Sequence, residues 1–211
     1  MKNISNGVWG ILIVTVSIIA LSFFTRNHSK DDINDWLTTA PIFFLSQAQY
    51  ELNAKNKYTC RENLYNAINS MKSLERYSSD DVKQYVDQSI FELYHLIEVS
   101  EYKNLNVSDL NLVIFHAINA VAYAELRISE DEFKNGKSEE SLVLMKTVLV
   151  LLNQSINYIE LSDISELEEI SIISHVEKMV NKIKLDGHIS DKEFDTINLE
   201  IEAVLNKAFS Y

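Results

Sequence analysis

The chain is expected to be all-α: about seven helices forming an antiparallel bundle, or an array of helical hairpins, behind one N-terminal transmembrane helix. Three observations predict this. Apolar residues recur every three to four positions from residue 41 onward, and strict alternation persists nowhere; that is the period of a helix rather than a strand. The 211 residues include only 4 Gly and 1 Pro, too few for the turn-rich sandwiches and barrels. Finally, no charged residue falls between Asn3 and Thr25.

That uncharged stretch is the first element. Val8, Trp9, Ile11, Leu12, Ile13, Val14, Val16, Ile18, Ile19, Leu21, Phe23 and Phe24 dominate residues 7–24. At ~1.5 Å per residue, about 20 such positions cross a ~30 Å hydrocarbon layer. Trp9 at one end and Arg26 and Lys30 beyond the other suit the two interfaces. A cleaved signal peptide is the competing reading, with Lys2 as its basic start and Ala20-Leu21-Ser22 as its cleavage site. Such peptides carry apolar runs of about 7–15 residues, and this run is longer, so a retained anchor is expected. Lys2 on one side and Arg26 and Lys30 on the other leave the charge bias undecided. A short head before a large tail is the arrangement of a signal-anchor, which places the tail outside the cytoplasm.

Residues 31–211 then form an acidic helical domain, with residues 1–30 as the anchor and its flanks. Seven stripes follow in order. Pro41 suits a first helical turn and precedes Ile42, Leu45, Ala48 and Leu52. The second stripe is Leu64, Ala67, Ile68, Met71 and Leu74, and the third is Val82, Val86, Ile90, Leu93 and Ile97. The fourth runs Leu110, Ile114, Ala117, Ile118 and Val121, and the fifth Leu142, Met145, Leu149, Leu152, Ile156 and Ile159. Ile173, Val176, Val180 and Ile183 make the sixth, and Phe194, Ile197, Ile201, Val204 and Ala208 the last. Each covers about half a helix and needs neighbours on that side. Thr59…Glu62 and Ser190…Glu193 have capping-box spacing. Ser79, Ser108 and Ser138 stand where N-caps are wanted, and Gly136 and Gly187 where a left-handed C-cap prefers glycine. Linkers of a few residues make successive helices antiparallel neighbours. Ala48-Gln49-Tyr50-Glu51-Leu52 is echoed 74 residues later by Ala122-Tyr123-Ala124-Glu125-Leu126. This suggests two related three-helix units, 41–99 and 108–185, with a closing helix at 190–211; chance likeness of amphipathic helices is the alternative.

Composition narrows the function. The net charge is -12, and it rests on 19 Lys+Arg against 31 Asp+Glu. Nucleic acid is therefore not an expected partner, since phosphate binding needs a basic face. One Cys allows no intrachain disulfide and no all-Cys metal site. Neither a nucleophile elbow nor a phosphate-binding glycine loop occurs. Cys60, beside Thr59 at a helix start, has a helix dipole to lower its pKa but no catalytic context. No enzyme activity and no cofactor are expected.

Two segments carry the pattern of a metal site without its completion. Glu92 and His95 form an E-x-x-H, yet a di-iron bundle needs two such pairs and two further carboxylates, and only one is present. Asp186 through Glu193 matches the second half of a calcium loop. Its first half would place Lys182 and Lys184 where oxygen ligands belong. Glu92, His95, Asp186 and Glu193 are thus the residues a bound ion would use, and no resident metal is expected. They are also the whole basis for an alternative function, a membrane-anchored sensor or carrier responding to a metal or ligand.

Aromatics point elsewhere. Tyr50, Tyr58, Tyr65, Tyr77, Tyr85 and Tyr94 concentrate in the first half of the domain, and Tyr65 and Tyr94 lie off their helices' apolar stripes. Exposed Tyr is enriched at interfaces, although Tyr also commonly borders a core with its hydroxyl wet. The expected function is a single-pass membrane protein held to the bilayer by residues 7–24. It would serve as a scaffold or accessory subunit, with protein partners or a second copy of itself meeting Tyr65 and Tyr94.

Overall fold

The computed structural model describes the backbone of residues 30–75, 78–102, 105–161 and 166–209, and the side chains of residues 39–75, 78–100, 105–159 and 167–209. The anchor at residues 7–24 lies outside the described residues, as do Tyr77 and Tyr211. The described chain is all-helical. Its seven α-helices are α1 (Lys30–Asn53), α2 (Lys57–Glu75), α3 (Asp80–Tyr102), α4 (Val107–Lys134), α5 (Ser138–Ser155), α6 (Glu166–Asp186) and α7 (Asp191–Ala208). A 3-10 segment, Ile156–Leu161, continues from α5.

Each helix packs on the next along the chain, most extensively α1 on α2 and α4 on α5. α4 also meets α1, α7 and the 3-10 segment, so it is the centre of the fold. Every residue from Val113 to Leu126 is buried. This departs from the half-width stripe that the sequence suggests, and the reason is that α4 has neighbours on all sides. The stripes of α2, α3 and α7 are buried residue for residue. In α5 the buried face is Ser141, Leu144, Met145, Val148, Leu151, Leu152 and Ser155, so Met145 and Leu152 of the expected stripe are buried while Leu142, Leu149 and Ile156 ride its edge.

Helix ends show where the capping signals apply. Ser190 and Glu193 close a capping box at α7. Ser79 immediately precedes α3 and its carbonyl starts the helix. Thr59, by contrast, lies inside the first turn of α2, because the helix begins at Lys57. Ser108 is likewise internal; Asn106 caps α4, its side chain accepting from the Ser108 N–H at 3.1 Å. Lys137 is the cap residue before Ser138, without a side-chain bond. Pro41 falls within α1, which starts at Lys30 rather than at the proline. There its missing N–H leaves the carbonyl of Leu37 without the usual helical donor.

Gly136 and Gly187 take positive φ, 80° and 62°. At Gly136 the Lys137 N–H reaches Glu132 O and the Gly136 N–H reaches Phe133 O, the paired bonds of a Schellman end. The α1 terminus makes the same two bonds, Asn56 to Glu51 and Lys55 to Leu52, around Lys55 at φ 61°. These equivalent turns, at Lys55 and Gly136, stand 81 residues apart. The 74-residue sequence echo is therefore out of step with them by about two helical turns.

Two described helical stretches, Val107–Lys134 and Ser138–Ile159, are long and apolar enough to cross a membrane by length and composition. The fold uses them differently. In the first, 72% of the most apolar window is buried within the protein, and in the second 39%.

Candidate interaction surface

α2 and α3 pack side by side, and their outer edges bring together the two tyrosines that the sequence singles out. Tyr65 and Tyr94 meet edge to face with ring centroids 6.4 Å apart, a geometry aromatic pairs prefer. Both are exposed, at 43% and 39%. Lys72 joins them from α2, donating to the Tyr94 hydroxyl at 2.8 Å with its ammonium 5.0 Å from the ring centroid. Such a contact is worth about 0.5–1 kcal/mol at an exposed site, enough to hold the ring in place.

Phe91, one turn before Tyr94, is 66% exposed, and Tyr58, two turns before Tyr65, is 80% exposed. Phe91 was not among the sequence candidates. Its signal was the same as that of Tyr94, an aromatic between the stripe positions Ile90 and Leu93. Tyr85 goes the other way: it is buried, against Tyr123 at 5.8 Å and Phe209 at 6.2 Å. α2 is also the one described helix in which Lys and Arg outnumber Asp and Glu: Lys57, Arg61 and Lys72 face Glu62 and Glu75. α2 thus brings basic residues to an aromatic edge whose other helix, α3, is acidic, with exposed Asp87 one turn before Phe91 and exposed Glu98 one turn after Tyr94.

The metal candidates do not converge. Glu92 is half-buried and bonds Nδ1 of His116 on α4 at 2.8 Å, whereas His95 is exposed. Helical spacing suggested a partner on the same helix, and the neighbouring helix supplies it instead. Glu193 is fully engaged: Lys182 donates to its two oxygens at 2.7 and 2.8 Å, and the Ser190 N–H and hydroxyl reach it at 2.9 and 2.7 Å. The hydrogen bonds from Lys182 and Ser190 hold its pKa at about 2. Asp186 is exposed and apart from this cluster. Among the described residues, no group of three or more His, Cys, Asp or Glu side chains is placed to hold a metal.

Other polar groups are used to join helices. Glu130 on α4 is buried; burial opposes its charge, but hydrogen bonds from Lys134 and Asn198 and the Arg127 guanidinium hold its pKa below the ordinary range. Arg127 also reaches Asp81 on α3 at 3.2 Å, and Asn198 belongs to α7. Tyr123 bonds Glu202 of α7 from the centre of α4. α3, α4 and α7 are thereby fixed in register. Cys60 is buried, and burial pushes its thiol up to about 11, which reverses the effect expected of a helix start.

Comparison of the chain with protein-family models, with characterised proteins and with solved structures finds no match.

Proposed function

We propose that this chain is a single-pass membrane protein whose helical domain docks other proteins, as a scaffold or accessory subunit of a membrane assembly. In this proposal residues 7–24 form the transmembrane helix, and the seven helices stand behind it as an antiparallel bundle of hairpins on the extracytoplasmic side. The observation that carries the docking role is the exposed Tyr65–Tyr94 pair, held by Lys72 and flanked by Phe91. Large, rigid aromatic side chains dominate binding energy at interfaces because they bury area at little entropic cost. A partner fitting this edge presents apolar surface to the exposed aromatic rings, with polar groups around it. A second copy of the chain meets that description as well as a different subunit does. The anchor confines the domain to the bilayer and raises its effective concentration for neighbours there.

The test is purification from native membranes in a mild detergent, with native mass spectrometry of wild type and a Tyr65→Ala/Tyr94→Ala variant. Wild type is expected to carry a reproducible partner or a second copy. The double variant is expected to lose at least tenfold in affinity, since interface aromatics often contribute about 2 kcal/mol or more. A wild-type monomer without partner, or an assembly indifferent to both substitutions, refutes the proposal.

A further inference from the structure

Glu169, on the first turns of α6, is the most deeply buried carboxyl of the described chain, with 0% of its surface exposed. Its surroundings are short of donors. Oε1 meets the Ser155 hydroxyl of α5 at 2.9 Å, but that hydroxyl also lies 2.7 Å from the Leu152 carbonyl, and it has a single hydrogen to give. Asn119 of α4 gives one of its two amide hydrogens to the Phe115 carbonyl at 3.1 Å, and its side chain also bonds the carboxyl, which favours the charged form. Two buried oxygens are then left without a donor: Glu169 Oε2 and Asn119 Oδ1. Turning the amide over does not help, because it sets Oδ1 against the Phe115 carbonyl.

We infer that Glu169 is a proton-binding site: it carries a proton at neutral pH, and that proton ties α6 to α4 and α5. Placed on Oε2, the proton donates to Asn119 Oδ1 and satisfies both orphaned oxygens at once. A carboxylate leaves both atoms without a donor, and the Ser155 hydroxyl and Asn119 amide that favour its charge also have the Leu152 and Phe115 carbonyls to serve. The neighbouring charges do not offset this. Glu168, on the same helix, opposes ionisation of Glu169 and is itself held outward by Lys207 of α7 at 3.0 Å. His175 of α6 is paired with Glu200 of α7. Tyr158, of the 3-10 segment, points its hydroxyl at Gln49. From α4 the facing group is the neutral Asn119, and α5 contributes only Ser155. Burial, first, and Glu168, last, drive the Glu169 pKa upward against the opposing bonds of Ser155 and Asn119.

Ionisation therefore loosens α6. The acid is raised above its unfolded value, so its contribution is complete below about pH 4.5 and fades as pH climbs through the folded pKa. Two measurements on the full chain in detergent micelles test this. In protein labelled with ¹³C at Glu carboxyl carbons, the Glu169 signal is expected to stay at its protonated position at pH 7; ionisation in the ordinary Glu range overturns the inference. In hydrogen exchange, opening of α6 in wild type relative to Glu169→Gln, whose amide supplies a permanent donor, is expected to rise by up to tenfold per pH unit above pH 5 and then level off. A ratio that is flat from pH 5 to 9 overturns it too. The carboxyl titration uses the unsubstituted chain, so a variant that fails to fold leaves the decision to that signal.

Discussion

Lys55 and Gly136 occupy equivalent positions in two turns with the same hydrogen bonds, and only one of them is glycine. This sets up a reciprocal experiment. A left-handed backbone costs an ordinary residue about 1–2 kcal/mol, and Lys55 bears that cost at φ 61°. Replacing it with glycine removes the strain but adds unfolded-state entropy worth about 0.5–1 kcal/mol. The net expectation for Lys55→Gly is a gain of about 0.5–1 kcal/mol. Gly136→Lys should lose about the same amount. A Cβ built on Gly136 meets no atom within 4 Å, so the loss there comes from the backbone alone. The assay is thermal unfolding of the full chain in mild detergent, followed by helical circular dichroism. A domain of this size moves by roughly 2–4 °C per kcal/mol. The expected signature is two shifts of opposite sign and similar size. If Lys55→Gly is neutral or destabilising, or if both variants shift in the same direction, left-handed strain is not what distinguishes the turns.

Three further outcomes are expected. Glu193 holds its charge well below the unfolded range, so its contribution is present above about pH 4.5 and disappears as pH falls toward 2; because its side chain is 35% exposed, Glu193→Gln should lose only on the order of 1 kcal/mol at pH 7 and flatten the acid limb of the melting profile. Phe194, wholly buried with its ring 5.8 Å from Phe133, should lose about 3–5 kcal/mol on truncation to alanine, measured by urea midpoint, whereas the exposed Leu199 should change by less than about 0.5 kcal/mol. Cys60 should react with a thiol reagent at pH 8 only as fast as α2 opens, because its thiol is buried and mostly protonated there; prompt labelling of folded protein would contradict the packing of α2.

What could be read from single helices was largely visible in the sequence. Leu64, Ala67, Ile68, Met71 and Leu74 are buried because a helix with one packed side shows its period directly, and the same holds for α3 and α7. The capping box at Ser190 is a local device, so local spacing finds it. Features that depend on a second helix were hidden. The buried line of α5 includes Ser141 and Ser155, polar residues that belong inside only because Ser129 and Glu169 meet them there. Glu92 looked like half of an intrahelical pair, but His116 claims it across α3 and α4. Tyr65 and Tyr94 were separately identifiable as off-stripe aromatics; their contact depends on the register of α2 against α3, which neither helix encodes alone.

Apolar length is the most ambiguous signal in this chain, and charge placement is what separates its meanings. α4 satisfies the length and composition of a membrane span, yet it carries Glu125, Arg127 and Glu130 within two turns of each other. In lipid each ionised group near a helix centre costs roughly 2.5–3.5 kcal/mol or more. In this fold Arg127 and Glu130 find each other and also Asp81, Lys134 and Asn198. The apolar surface of α4 is therefore matched by neighbouring helices and its charges by neighbouring side chains, and both matches would be lost in a bilayer. Residues 7–24 contain no charge at all and need no such matching. α5 falls between the two, with Lys146 as its one charge after Glu140 and with Val143 and Val150 exposed. An apolar helix in a folded protein must have either helical neighbours or lipid around it. α4 has the former on all sides, which is why the proposed membrane role rests with the uncharged leader and not with the longest apolar helix of the domain.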